Sequence, residues 1–323
     1  MKKIRWGLIG AGRIAHQFAR DMSFVPNGVL SAIGSRSKVA AEAFGAQYDI
    51  PHRFDDYQSL FECDEVDAVY IATPHNLHLA QATSAMAEGK AILCEKPLVT
   101  TPEECLEFQR AARHHDVYAM EAMWTYFLPA IRKAKSWVEA GRIGEVRRIQ
   151  ANFGYPIAYD PSLREYDRDL AGGCLLEMGI YPVALAWLFA ERDPIDIQAV
   201  ARTAPNGVED DVTAIFDYGD MTAALSTSFR CKLHNWATIV GEEGLITIPD
   251  FWRAHECHLY HLETRTEHFQ DGRESLGLNY QTVAVGEDLA MDRRQSTVMP
   301  LEVSLAFQRH MDQLRRHFEA VPS

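Results

Sequence analysis

The amino-acid sequence predicts an α/β protein of two domains: an N-terminal domain built on a parallel sheet, and a C-terminal α+β domain with a large, open, mostly antiparallel sheet. Its 323 residues exceed the usual size of one compact core, so two domains are expected. Apolar strands and amphipathic helices alternate in the first part, whereas strand-like segments joined by short turns dominate the second. This change in the order of strands and helices predicts one domain over residues 1–122 and a second over residues 123–323.

The first part of the chain alternates regularly between strands and helices. Strands are predicted over Ile4–Ile9, Val29–Gly34, Val66–Ala72, Ala91–Cys94 and Val117–Glu121. Helices are predicted after Arg13, from Ser37, over Leu77–Glu88 and after Pro102. Such an order is typical of a parallel sheet covered by helices.

Strands that follow one another closely characterise the second part. Helices are predicted near Leu128–Ala140, over Leu175–Phe189 and from Leu301 to Ala320. Strands are predicted over Val146–Phe153, Asp211–Tyr218, Met221–Phe229, Ala237–Val240 and Leu245–Ile248. The short turns between the later strands favour an antiparallel or mixed sheet.

Composition and charge narrow the classes of partner. The formal net charge of -13 disfavours binding to nucleic acid or to an anionic membrane surface, since both need clustered cations. The N-terminal residues lack the pattern of a secretory signal, and no apolar run approaches membrane-spanning length. The six cysteines show no paired spacing, which is typical of thiols in a reducing compartment. We therefore expect a cytoplasmic protein that acts on a small molecule.

A glycine-rich turn follows the first predicted strand. Gly10 and Gly12, with Ala15, form a Gly-x-Gly-x-x-Ala pattern that opens a helix at Arg13 and Ile14. Gly10 permits a tight turn, and Gly12 removes a side chain that would block a pyrophosphate at the helix N-terminus. The context predicts a dinucleotide-binding Rossmann fold, with a plain glycine turn as the alternative.

The end of the second strand bears on which dinucleotide is bound. An acidic residue there accepts hydrogen bonds from the ribose of NAD, but this chain has Ser35, Arg36 and Ser37 instead. The Arg36 guanidinium suits a 2′-phosphate, so NADP is predicted over NAD. A solvated loop arginine is the alternative interpretation.

Two further strand ends carry polar residues. Thr73, Pro74 and His75 follow one strand and should border the cofactor crevice, unless they only form a turn. Glu95 and Lys96 end another, just before a proline that restricts the backbone. Lys96 would point into the crevice and bind a substrate oxygen or ribose, the alternative being a surface lysine.

At these motifs the chain resembles the glucose-fructose oxidoreductase and inositol dehydrogenase family. Gly10–Ala15, Thr73–His78, Glu95–Pro97 and Ala171–Pro182 agree with its patterns in order. The resemblance implies an NAD(P)-dependent oxidoreductase of sugars, polyols or cyclic trans-diols, with His78 among the cofactor-binding residues. It also implies a homodimer or higher homo-oligomer, which would cover the open second sheet.

Two positions point to one branch of that family. Many members have histidine where this chain has Tyr181, and aspartate where it has Glu177. Tyr181, with Glu121–Thr125 and Gly244–Trp252, looks like the branch of dimeric dihydrodiol dehydrogenases and NADP-dependent xylose dehydrogenases. Tyr126 departs from the arginine usual in that branch.

The residues themselves suggest a mechanism. Glu177 and Tyr181 are four positions apart in a predicted helix and so share one face. We expect Tyr181 to take a proton from a substrate hydroxyl while hydride passes to the nicotinamide, with Lys96 binding both oxygens and Glu177 orienting the network. Trp124 and Tyr155 are candidates for an aromatic substrate wall, although core packing explains them, and Tyr181, equally simply.

Other chemistries receive less support. His255, Cys257, His258 and His261 lie in one strand-like stretch where His258 faces away from the others, so no metal site is predicted. A non-catalytic NAD(P)-binding regulator of the same fold remains the alternative function. A second alternative is an enzyme of the same fold in which tightly bound NAD oxidises the substrate transiently, so that a group can be eliminated or transferred.

Overall fold

The chain divides into two compact units. The computed structural model describes residues 3–319. The first unit runs to Trp124 and also includes Glu274–Leu305, whereas the second comprises Thr125–Arg273 and the residues from Ala306 onward. Each unit contains one β-sheet with its own helices.

The first unit is built on a parallel sheet of six strands in the order β3-β2-β1-β4-β5-β6. This is the order of the doubly wound Rossmann fold, so the predicted fold class is confirmed for this half. The strands are β1 (Ile4–Ile9), β2 (Gly28–Gly34), β3 (His52–Phe54), β4 (Ala68–Ile71), β5 (Ala91–Glu95) and β6 (Ala119–Ala122).

Helices connect these strands, and two of the helices begin at good capping residues. Ser37 accepts a hydrogen bond from the Ala40 amide at the start of α2, and Thr101 does the same from Glu104 at the start of α5. Strand β3 and α3 were not predicted, since both are very short. The helices are α1 (Arg13–Asp21), α2 (Lys38–Gln47), α3 (Gln58–Phe61), α4 (His78–Ala87) and α5 (Pro102–His114).

A late segment of the chain belongs to this first unit. The carboxylate of Asp21 accepts hydrogen bonds from the amides of Leu276, Gly277 and Leu278 at 2.8–2.9 Å. These amides precede and begin α8 (Leu278–Ala290), so Asp21 caps that helix from the end of α1. The sequence prediction placed residues 274–305 with 123–323, whereas the structure groups Glu274–Leu305 with the first unit. The cap is one of the contacts that join them, between residues more than 250 positions apart.

The second unit is built on an eight-stranded sheet in the order β14-β13-β12-β11-β7-β10-β9-β8. Among its described strands only β7 and β10 pair in parallel, so the predicted mostly antiparallel sheet is confirmed. The strands are β7 (Val146–Gly154), β8 (Asp196–Thr203), β9 (Glu209–Asp217), β10 (Thr222–Ser228), β11 (Ala237–Gly241), β12 (Leu245–Ile248), β13 (Glu256–His261) and β14 (Thr264–Gln270).

Two helices lie against this sheet: α6 (Pro129–Glu139) contacts β12, β13 and β14, and α7 (Ile180–Ala190) contacts β7 and β10. The apolar stretch Arg168–Ala190 is long enough to cross a membrane, but 78% of its most apolar window is buried inside the fold. That burial is typical of the core helix of a globular unit. The last helix, α9 (Leu301–Glu319), matches its predicted start, and the predicted end at Ala320 lies outside the described residues.

Candidate functional site

The glycine turn between β1 and α1 has the geometry that a dinucleotide requires. Gly10 has a φ of +91°, and a Cβ there would lie 2.7 Å from the Ala72 carbonyl oxygen. Gly12 faces open space and begins α1, whose first turn has no side-chain cap. Amides at an uncapped helix N-terminus beside open space suit a pyrophosphate. Arg13 is exposed and Ile14 is partly buried at this helix start.

The loop after β2 holds one cation available to a ligand. The Ser35 hydroxyl accepts a hydrogen bond from the Ser37 amide at 3.3 Å, and the Ser37 hydroxyl caps α2. Arg36 lies between them, is exposed, and makes no hydrogen bond or ion pair with residues 3–319. The two hydroxyls therefore fix the loop, which leaves the guanidinium free to bind an anion.

The turn after β4 is held by a buried histidine. His78 is completely buried; its Nε2 lies 2.9 Å from the Thr73 carbonyl, and its Nδ1 lies 3.0 Å from that of Pro97 and 3.2 Å from that of Leu98. Burial lowers the pKa of His78, although the three carbonyls oppose this shift. We interpret His78 as a positioning residue that joins the ends of β4 and β5.

The other predicted residues of this turn lie close to His78. The Thr73 hydroxyl donates to Gln81 Oε1 at 2.5 Å, Pro74 is partly buried, and His75 is buried with its ring 5.7 Å from that of His78. The turn is thus anchored at both ends.

The turn after β5 places Lys96 at the carboxyl edge of the sheet. Glu95 is buried and accepts hydrogen bonds from the Tyr70 hydroxyl and, at 3.2 Å, from the Lys96 amide. Tyr70 is itself fixed by stacking on Phe18 at 3.9 Å. The peptide bond between Lys96 and Pro97 is cis. Glu95 therefore fixes the backbone beneath Lys96. The side chain of Lys96 is partly exposed.

A second buried carboxyl, on β6, was not predicted as a site residue. Glu121 is completely buried, and its Oε1 accepts a hydrogen bond from the Leu98 amide at 2.8 Å. Burial raises the pKa of Glu121 to about 7, although Ser304, the Leu98 amide and the Lys96 ammonium lower it. Its sequence signals were a charged residue inside an otherwise apolar strand and its place in the Glu121–Thr125 motif, neither of which indicates a role in the site.

In the second unit, Tyr181 belongs to an aromatic cluster. We define this cluster as Phe153, Tyr155, Tyr181, Phe251 and Trp252. The Tyr181 ring is 5.3 Å from Phe153 and 6.1 Å from Trp252, and only 6% of the residue is exposed. Tyr155, predicted as part of an aromatic wall, contacts Phe153 edge-on at 5.9 Å. The other predicted wall residue, Trp124, lies in the first unit and is 7% exposed.

Glu177 precedes Tyr181 in a segment of unusual helical geometry. Leu175–Gly179 forms a π-helix that continues into α7, where a regular helix was predicted. The Glu177 carboxylate pairs with Arg164 at 2.8 Å, and its side chain is 16% exposed. Coulombic attraction and hydrogen bonding to Glu177 outweigh burial and raise the pKa of Arg164. Sequence reasoning missed Arg164 because it lies in an irregular loop without a motif.

The turn that begins this helix depends on a buried carboxyl. Gly173 has a φ of +134°, and a Cβ there would overlap the carboxylate of Glu209. Burial raises the pKa of Glu209 to about 7, although the nearby Leu175 amide opposes this shift. The carboxylate thus occupies the space that a glycine leaves open, beside the start of the helix that carries Glu177 and Tyr181.

We therefore predict that Gly173→Ala lowers the free energy of unfolding by about 2 kcal/mol, because the new methyl group displaces Glu209 and forces an unfavourable φ. Urea denaturation measures this loss. Gly141→Ala is the matched control, since Gly141 has a φ of +67° but faces open space. Equal losses in the two variants would show that the Glu209 contact is unimportant.

Comparison with known proteins identifies the family. Residues 4–123 match the oxidoreductase family with an NAD-binding Rossmann fold, and residues 131–247 match the GFO/IDH/MocA C-terminal domain. Trans-1,2-dihydrobenzene-1,2-diol dehydrogenases of Bos taurus and Homo sapiens are each 30% identical, covering 97% of this chain and 96% of theirs.

Solved structures show the same architecture. An aldose-aldose oxidoreductase from Caulobacter crescentus, complexed with glycerol, superposes with a TM-score of 0.91 at 22% identity and 98% coverage of both chains. A 3-ketoreductase from Actinomadura kijaniata, in complex with NADP and TDP-benzene, gives 0.85 at 25% identity and the same coverage. The chain therefore belongs to the GFO/IDH/MocA family of oxidoreductases, with an NAD(P)-binding Rossmann domain.

Proposed function

We propose that the protein is an NADP-dependent dehydrogenase that oxidises a CH–OH group of a sugar, polyol or cyclic trans-diol, or reduces the corresponding carbonyl. The observation that carries this proposal is the gathering of three motifs at the carboxyl edge of the first sheet: the Gly10–Gly12 turn, the Thr73 turn and the Lys96 turn. The similarity of this chain to diol dehydrogenases and to a ketoreductase supports the same class of reaction.

The residues at this edge would hold the dinucleotide. The amides of Gly12, Arg13 and Ile14 are suited to the pyrophosphate, and Arg36 to a 2′-phosphate. Thr73, Pro74 and His75 would border the cofactor crevice. When bound, the nicotinamide supplies the hydride acceptor.

Residues of the chain itself would carry out the proton transfer. In the proposed reaction Tyr181 accepts the proton of the substrate hydroxyl, and the ammonium of Lys96 stabilises the resulting phenolate and binds the substrate oxygen. The aromatic cluster excludes water from the Tyr181 ring, and Trp124 and Tyr155 are proposed substrate contacts. Glu177, fixed by Arg164, would orient the start of the helix that carries Tyr181.

A screen of NADP and NAD reduction against aldoses, inositols and cyclic trans-diols tests the function. We expect NADPH to accumulate with at least one ring hydroxyl compound. Cofactor binding without turnover on any of them would instead indicate a regulator of the same fold. NAD that co-elutes with the protein on gel filtration, without net reduction, would indicate transfer or elimination through transient oxidation.

Replacement of Arg36 tests the cofactor preference. We predict that Arg36→Ala raises KM for NADP about 10- to 100-fold, because it removes a charge-assisted contact to the 2′-phosphate, and leaves KM for NAD nearly unchanged. Steady-state kinetics with both cofactors measure this difference. Lys38→Ala, an exposed neighbour, is the control and should have a smaller effect. Equal changes for NADP and NAD would contradict the assignment.

The compartment and the assembly belong to the same proposal. Residues 3–319, which include all six cysteines, contain no disulfide bond, and this favours a cytoplasmic protein. Val200 and Ile215 are 60% and 41% exposed on neighbouring strands of the second sheet, and a second copy of the chain would cover them. Light scattering after gel filtration measures the number of copies, for which we expect two or more.

A further inference from the structure

Three side chains of metal-binding types, one glutamate and two histidines, meet on the hairpin formed by β13 and β14. Glu256 and His258 are two positions apart on β13, and His268 of β14 pairs directly with His258, so all three share one face of the sheet. Their ligand atoms all lie within 4.8 Å of one another. Glu256 Oε2 is 2.8 Å from His268 Nε2 and 3.5 Å from His258 Nε2.

We propose that Glu256, His258 and His268 bind a divalent transition-metal ion of the zinc class. Two imidazoles and one carboxylate are a ligand set that Zn²⁺, Ni²⁺ and Cu²⁺ prefer, whereas Mg²⁺ and Ca²⁺ require more oxygen ligands. Three protein ligands leave the remaining coordination positions to water. The cluster lies apart in sequence from every residue assigned above to catalysis.

Burial holds one of the ligands in place. The His258 side chain is only 11% exposed, so its neighbours in the fold restrict the position of the ring. The two imidazole rings lie face to face at 4.7 Å, and the His268 side chain is 37% exposed, so solvent and an ion can reach this end of the cluster.

Two buried polar atoms on this face also favour a hydrated ion. Thr247 of β12 pairs with His258 and projects to the same side. Within residues 3–319, neither His258 Nδ1 nor the Thr247 hydroxyl has a hydrogen-bond partner. Buried polar atoms normally have one, and waters bound to an ion at this site would supply it.

This ligand set differs from the one that the sequence analysis rejected. Cys257 lies toward α6, beside Lys133 and Ala134, while His258 faces the other way. The missing third ligand comes from His268, which only strand pairing brings to His258.

The expected role of the ion is to hold the edge of the sheet. β14 is the last strand in the sheet order and is bonded on one side only to β13. An ion bound by residues of both strands would cross-link this hairpin. Because the ion would bind the folded state and not the unfolded state, it would raise the Tm of the protein.

The test uses the full chain, purified without a polyhistidine tag and dialysed against EDTA. Calorimetric titration with ZnCl₂ should show one ion bound per chain, and zinc should raise Tm. His268→Gln and Glu256→Gln should each bind zinc about 100-fold more weakly, since removal of a direct ligand costs at least as much as loss of a supporting group. Both positions are partly exposed, so the metal-free variants should retain the wild-type Tm.

The matched control is His261→Gln. His261 lies on the same strand but on the opposite face, and it is exposed. Unchanged zinc binding by His261→Gln, together with the losses above, supports the site. Absence of zinc binding to the wild type overturns the proposal, as does equal binding by all the variants, which would indicate scattered surface histidines.

Discussion

Replacement of Tyr181 by phenylalanine is expected to reduce kcat by about 10²- to 10⁴-fold, the range for loss of a general acid–base group. Phenylalanine keeps the ring that contacts Phe153 and Trp252, so the aromatic cluster and the fold should survive. Only the proton-transferring hydroxyl is removed. Tyr159→Phe is the matched control because Tyr159 is 41% exposed and has no assigned role in the reaction; it should retain wild-type turnover.

The same measurement on Lys96→Ala tests whether the two residues act as one unit. If Lys96 serves by stabilising the Tyr181 phenolate, either substitution removes the same contribution, and the double variant should be little slower than each single one. Binding of NADPH by Tyr181→Phe, followed by the fluorescence of this reduced cofactor, should be unchanged. Retained turnover in both single variants, or losses that multiply in the double variant, would reject the pairing.

The local parts of this site were predictable from the sequence. Gly10, Gly12 and Lys96 each follow an apolar strand directly, and a parallel sheet gathers strand ends at one edge whatever its other details. The turn chemistry at Ser37 and Thr101 likewise depends on neighbours three residues away. Such features need no knowledge of the rest of the fold.

The parts that depend on distant contacts were not predictable. Glu121 meets Leu98 only because β5 and β6 are adjacent, and His268 meets His258 only through the register of a bulged hairpin. A sequence motif likewise does not show whether its side chains are buried. His78 was predicted as a cofactor contact, yet it is completely buried against backbone carbonyls, and its influence on the cofactor would pass through the turns it holds.

Glu121→Gln is expected to make the protein more stable than the wild type at pH 8, by up to about 3 kcal/mol, and to leave it equally stable near pH 4.5. The pKa of Glu121 is raised by burial from 4.5 to about 7. Between these values the folded state holds a proton that the unfolded state releases, so stability falls as pH rises. Above pH 7 the buried carboxylate exerts its full cost, which a neutral amide removes.

Urea denaturation of both proteins from pH 5 to pH 8 measures the difference. Glutamine keeps a carbonyl oxygen that can accept the Leu98 hydrogen bond, so the comparison isolates the charge. Glu263→Gln, at an exposed position, is the control and should show no such pH dependence. A loss of stability in Glu121→Gln that is the same at every pH would show that the carboxyl ionises normally and that its hydrogen bonds dominate.

The position of the Glu121 carboxyl connects its effect on stability with the proposed reaction. Glu121 holds the Leu98 amide, two residues after Lys96, and its charge and that of Glu95 both act near the Lys96 ammonium. A residue that weakens the fold above pH 7 but fixes the turn of a proposed catalytic lysine is expected where activity, not stability, has been selected. Because glutamine keeps the Leu98 hydrogen bond but removes the charge near the Lys96 ammonium, Glu121→Gln should be more stable but slower at pH 8. A variant that gained stability without losing turnover would separate the Glu121 charge from the reaction.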